Sequence, residues 1–120
     1  MSNIRGIRGA ISISNNTKNE IVSSTTALLR KIAGSNKIKV EDIASIIFSV
    51  TKDLNAEFPA ISARKMGWKN VPLLCTYEVD VPGALARCIR VLMLVNSDKK
   101  QASIKHIYLM DAKKLRPDLG

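Results

Sequence analysis

The residues of this chain that could do chemistry are the arginines Arg8, Arg64, Arg90 and Arg116, together with Glu78, Tyr108 and Cys75. A guanidinium keeps its charge at any ordinary pH and grips a carboxylate through a two-pronged fork. Two or three such groups around one cleft would suit a compact dicarboxylate. The set lacks the parts of most other enzymes. It has no base-activated nucleophile pair, no Walker A loop, no dinucleotide fingerprint and no metal-ligand cluster. A site built from it can catalyse only by holding a shape and stabilising charge. It calls for no metal and no other cofactor.

Arg90 is the sharpest of these signals. It sits inside Cys88-Ile89-Arg90-Val91-Leu92-Met93-Leu94-Val95, a short apolar run that reads as a strand covered on both faces. A charge there needs an anionic partner. Glu78 or Asp80 could supply it as a structural ion pair, a ligand could supply it, or Arg90 could be a snorkelling edge residue. Cys75 and Glu78 are three residues apart, so on a regular strand they face opposite sides. If both serve one site, the strand must bulge or end between them.

The elements that position these residues are legible in outline. Residues 1–120 read as one domain with a modest core. Ile4 to Ser14 reads as a first strand in which Gly6 and Gly9 imply a bulge or the close approach of another group. Thr17 to Glu20 reads as a capping box. The helix that follows runs to about Ala33 with Ile21, Thr25, Leu28, Leu29 and Ile32 on its apolar stripe, and Gly34 ends it. Val40 to Asp42 is a turn or helical lead-in, and Ile43 to Thr51 is a second strand. Pro59 opens a short helix that carries Arg64 and stops at Gly67, with Trp68 as a packing anchor. Leu73 to Val79 is the third strand, Ala84 to Arg87 a helical turn, Asn96 to Lys99 a turn, and Ile104 to Met110 the last strand. Leu115 to Leu119 forms an irregular tail. The strands at Ile43 and Ile89 are apolar on both parities, more than one covering helix can bury. The second sheet face therefore requires an oligomeric partner.

Composition narrows the class. The formal charge of +9 suggests an anionic partner. The lysines are scattered, aromatics are 4%, and no nucleic-acid-binding signature is present, so nucleic acid is not expected. No run approaches a membrane span and no secretory signal is visible at the N-terminus. Cys75 and Cys88 read as reduced thiols of a cytoplasmic protein. The single histidine, His106, argues against a histidine-based metal site.

Six stretches in order then carry a resemblance. They are IRGIRGA, DLNAEFPA, the GW-x-x-VP-x-x-C-x-x-E-x-DV block, CIRV, H-x-YL and the closing LRPDL. From Ile4 to Leu119 the chain resembles the monofunctional, trimeric chorismate mutases of the AroH class. The resemblance implies the Claisen rearrangement of chorismate to prephenate, on the way to phenylalanine and tyrosine. It implies an α+β fold, a mixed sheet of about five strands with helices on one face, assembled as a homotrimeric pseudo-α/β barrel with a site at each subunit interface. By motif, Arg90 resembles the cation on the ether oxygen and one carboxylate. Arg8 and Tyr108 resemble the clamps of the side-chain carboxylate, and Glu78 and Cys75 the pair near the substrate hydroxyl and ring. Phe58, Ala60 and Arg64 would come from the neighbouring subunit, with Leu73 lining the wall and Leu115 and Arg116 on a mobile tail over the mouth. Ile61 stands where the family often has lysine, and Leu74 where it often has threonine. The chain stops soon after Leu119, so a longer lid tail is not expected. The alternatives are a trimer that binds a dicarboxylate without turning it over and a small nucleic-acid-binding protein, which would show steep salt dependence.

Overall fold

A computed structural model describes residues 3–116. Five strands form one mixed sheet: β1 (Asn3–Ser12), β2 (Ile43–Val50), β3 (Leu73–Tyr77), β4 (Cys88–Ser97) and β5 (Ile107–Leu109), in the order β3-β2-β4-β1-β5. The central strand β4 runs antiparallel to both β1 and β2, while β3 and β5 lie parallel to β2 and β1 at the two edges. Two helices, α1 (Lys18–Asn36) and α2 (Ile61–Lys65), link β1 to β2 and β2 to β3.

Strand β4 sorts its residues by parity. Ile89, Val91, Met93 and Val95 are buried with Ile7, Ile11, Ile46 and Phe48 under the apolar stripe of α1, where Ile21, Leu28, Leu29 and Ile32 are also buried. The other face of β4 carries Arg90, Leu92 and Leu94, which are half-buried or exposed. Leu74 and Ile4, on strands of the same sheet, are 60% and 64% exposed. One chain thus covers one face of its sheet and leaves the other, partly apolar, open.

Glycine at position 9 lets α1 approach the sheet: a Cβ there would stand 2.6 Å from Ile32 Cδ1 and 3.2 Å from Leu28 Cδ1. Strand β1 has no bulge, since its pairing with β4 is unbroken from Asn3 to Ser12. Thr17 caps α1 through its hydroxyl, which accepts from the Glu20 amide at 3.1 Å. The Glu20 carboxylate does not return to Thr17 as a capping box would. It accepts from the Ser14 and Asn15 amides at 2.9 and 3.1 Å. Desolvation pushes its pKa up, but these hydrogen bonds outweigh it and hold the pKa below the ordinary value.

Several boundaries differ from the sequence reading. Helix α1 does not stop at Gly34; it runs to Asn36 and is capped by Lys37 in the left-handed conformation, φ 53°. The buried Asn36 side chain supplies the reason. Its Nδ2 donates to the Ile32 and Lys105 carbonyls, both at 2.9 Å, and its Oδ1 accepts from the Lys105 amide at 2.8 Å. Because Lys105 is tied to the helix end, the last strand begins at Ile107 instead of Ile104. It ends at Leu109, where Met110 takes a φ of 56° and a 3-10 helix runs to Leu115. Pro59 lies just before α2, whose N-cap is Ala60. Strand β4 extends through Asn96 and Ser97. No helical turn forms at Ala84 to Arg87, because Arg87 is left-handed at φ 48°. Of the expected tail, Pro117 to Leu119 lie outside the described residues.

Candidate active site

The sheet register divides the candidate residues between its two sides. On the open face, Arg90 is paired with Ser49 of β2 and with Ala10 of β1, and Ala10 in turn with Tyr108 of β5. Arg8 lies one step along, opposite Leu92. The diagonal offset puts Arg8 and Arg90 roughly 7–8 Å apart at the backbone, within reach of one small ligand. Tyr108 and Leu115 pack on a small cluster of Ala10, Cys88 and Ala112 beside Arg90.

Glu78 lies on this face by the same alternation, one residue beyond the end of β3. The strand stops at Tyr77, and the Glu78 amide still donates to the Val50 carbonyl at 2.9 Å. Its Oε2 accepts from the Ser49 hydroxyl at 2.9 Å and lies 3.2 Å from Arg90 Nε. That Nε–H is not aimed at the carboxylate: the atom is buried and has no hydrogen-bond partner among the described residues. The contact is one of charge, and the guanidinium keeps donors to spare. A cleft of about 370 Å³ opens here, with Arg90, Glu78, Thr51, Asp53 and the loop 79–86 among its walls. Cys88, behind Arg90, is a buried thiol whose pKa burial pushes up to about 11, more than the nearby Arg90 charge lowers it. It stays protonated and packs as an apolar group.

Cys75 is on the other side. It pairs with the core residue Phe48, so it faces the helices, as the three-residue spacing from Glu78 requires. Leu73 shares that face opposite Ile46. Cys75, Phe58, Ala60, Ile61 and Arg64 line a second cleft of about 320 Å³. Burial raises the Cys75 pKa, against a hydrogen bond from the Ala60 backbone and the charge of Arg64. Phe58 is 67% exposed. Within a chain Cys75 and Glu78 therefore lie on opposite faces of the sheet. Each chain carries two incomplete clefts on opposite sides of its sheet. One is lined by Glu78 and Arg90, with Arg8 and Tyr108 on strands of the same sheet face; the other is lined by Phe58, Ala60, Arg64 and Cys75, with Leu73 on the Cys75 face of β3.

His106 is a site neighbour that the sequence reading assigned no role. Its Nδ1 accepts from the Arg8 main-chain N–H at 2.9 Å, which fixes the imidazole as neutral with Nδ1 unprotonated. Burial and then the charges of Arg8 and Arg116 lower its pKa. Ser49 was also missed; its signal was a polar residue placed among apolar ones in β2. Arg116 lies near His106, just beyond the 3-10 helix.

Residues 4–119 match the family of chorismate mutase type I. The chain belongs to the type I chorismate mutase family.

Its activity is that of a chorismate mutase. It is 47% identical to the chorismate mutase AroH of Bacillus subtilis over 118 residues, 98% of this chain and 93% of that protein. It is 49% identical to the chorismate mutase AroH of Thermus thermophilus over 117 residues, 97% of this chain and 96% of that one. The fold superposes on the chorismate mutase from Clostridium thermocellum with a TM-score of 0.90 at 55% identity, covering 91% of this chain and 97% of that chain. No helix among the described residues is long and apolar enough to cross a membrane.

Proposed function

We propose that this chorismate mutase turns chorismate into prephenate in sites shared between neighbouring chains of a homotrimer. One domain, residues 1–120, would supply both halves. The Arg90 cleft of one chain would face the Cys75 cleft of the next, and the open sheet faces would meet in a barrel-like core. The supporting observation is Arg90, whose guanidinium stands over a cleft beside a single carboxylate with its Nε–H unpartnered.

The rearrangement breaks a C–O bond and forms a C–C bond in one molecule, with no acid, base or nucleophile. In the transition state the ether oxygen gains negative charge and the ring loses electron density. A fixed guanidinium in a water-excluded site stabilises that oxygen more than it stabilises the substrate, so it lowers the barrier. The roles are those the family resemblance implies, and the positions described above support them. Arg90 meets the ether oxygen and one carboxylate. Arg8 and Tyr108, on the same face, clamp the side-chain carboxylate. Glu78, anchored through Oε2 by Ser49, turns its other oxygen to the substrate hydroxyl and offsets the electron-poor ring. Phe58, Ala60, Leu73 and Cys75 of the neighbour form an apolar wall that excludes water, Arg64 adds positive charge, and Leu115 and Arg116 cover the mouth. Holding the compact substrate conformer removes part of the entropic barrier. The free thiols Cys75 and Cys88 suit a cytoplasmic enzyme.

The test is loss of chorismate absorbance on adding purified protein, with prephenate identified as the product. Saturable turnover is expected. Binding of chorismate without turnover would leave a dicarboxylate-binding trimer in its place.

A further inference from the structure

Asp53 lines the Arg90 cleft but has been given no role there, and it is connected to Arg90 through the backbone. Arg87, three residues before Arg90, has a φ of 48°, a left-handed conformation that a non-glycine residue adopts only when its surroundings enforce it. Those surroundings are specific. The Arg87 main-chain N–H donates to both Asp53 carboxylate oxygens, at 3.2 and 3.0 Å. The Thr51 hydroxyl donates to Asp53 Oδ1 and accepts from the Cys88 amide at 3.0 Å. The Thr51 amide returns a bond to the Cys88 carbonyl at 3.1 Å. On the opposite flank, the Arg87 carbonyl accepts from the Ile13 amide at 2.9 Å, and Arg87 Nε donates to the Ile13 carbonyl at 3.2 Å.

The start of β4 is thereby tied to the ends of both neighbouring strands. Arg90 is the third residue of β4. Its direction and height over the cleft depend on where Cys88 enters the sheet, since side chains alternate along a strand. The buried alternation from Ile89 onward sets which face Arg90 takes. It does not set the small rotations and shifts of the first strand residues, where a side chain of full length magnifies any backbone error. Asp53 lines the same cleft as Arg90 and Glu78, but its two oxygens are already engaged by Arg87 and Thr51.

We propose that Asp53 is a positioning residue for Arg90, holding the left-handed turn at Arg87 that sets where the guanidinium stands relative to Glu78. This inference rests on the reading of Arg90 as the cation that meets the reacting oxygen.

The experiment measures kcat, KM and melting temperature for Asp53→Ala, Asp53→Asn and the double variant Asp53→Ala/Arg87→Gly, in the assembled full-length protein well below its melting point. A positioning role predicts that Asp53→Ala lowers kcat by about 10- to 100-fold, the range of a misplaced catalytic group, with a smaller change in KM. Asp53→Asn keeps an oxygen for the Arg87 amide and should fall between. Glycine takes a positive φ without help, so the double variant should regain part of the lost kcat. A normal kcat in a folded Asp53→Ala protein, or a deficit confined to KM, would overturn the proposal. If that variant does not fold, Asp53→Asn decides: an unchanged kcat there with no shift of the Arg90 Nε–H resonance would overturn it. The resonance also separates the two readings. A wild-type protein that failed to turn over chorismate would remove the assignment of the reaction, while a shift of the Arg90 Nε–H signal in Asp53→Asn would still report the positioning.

Discussion

The roles proposed for Arg90 can be separated by its substitutions. As the cation over a developing oxyanion it acts mainly in the transition state, so its loss should fall on kcat. A citrulline at position 90 keeps the planar shape and part of the N–H donor set, and replaces the charged end by a neutral carbonyl. The expected drop in kcat is at least about 100-fold, or ~2.7 kcal/mol. Arg90→Lys keeps the charge and loses the fork, and should also be poor. A deficit that vanishes at saturating chorismate would make Arg90 a carboxylate anchor only. A lowered melting temperature with kcat intact would make it a structural partner of Glu78. His106 gives a second prediction. Burial, Arg8 and Arg116 hold its pKa below the ordinary 6.5, so the unfolded chain binds the proton more readily than the folded one. Its contribution is fully present above the ordinary value. The loss begins as pH falls past it and is complete below the lowered folded value. Protonation also removes the acceptor of the Arg8 amide. Melting temperature should therefore drop more between pH 7.5 and 5 for the wild type than for His106→Asn. Equal slopes would show that His106 is not linked to folding.

At the scale of elements, the contact of α1 with β1 depends on a missing side chain. Gly9→Ala would place a Cβ 2.6 Å from Ile32 Cδ1 and 3.3 Å from the Ile107 carbonyl oxygen, and Ile32 is fully buried. Helix and strand must part, at a cost of about 1–3 kcal/mol. Chemical denaturation would read this directly, and an unchanged midpoint would show that Ile32 has room to turn away. The sequence foretold a close approach at Gly6 or Gly9; the structure assigns it to Gly9, since Gly6 would meet only ordinary contacts at 3.7 Å and beyond. The strands and the apolar stripe of α1 were legible because periodicity and the Thr17 cap are local signals. The end of α1 and the start of β5 were not, because Asn36 fixes both through bonds to Lys105 that no local pattern records. The turn at Arg87 was misread for the same reason, since its partner Asp53 is 34 positions away. The opposite facing of Cys75 and Glu78 was legible from parity alone, and it separates the two clefts.

At the scale of the whole molecule, the proposed shared site would make the assembly part of the chemistry. Arg64 and Cys75 line a cleft on the helix side, while Arg90 and Glu78 line one on the open side. Within one chain the two clefts share no lining residue. The decisive measurement mixes two variants, Arg90→Ala and Arg64→Glu, the second chosen because it sets a carboxylate against a dicarboxylate substrate. Each alone should be nearly inactive. After subunit exchange, confirmed by native mass spectrometry, a closed ring of three leaves about one site in four with both halves intact. The mixture should recover about a quarter of wild-type turnover by that count. Exchange without any recovered activity would place both residues in the site of one chain and contradict the shared site.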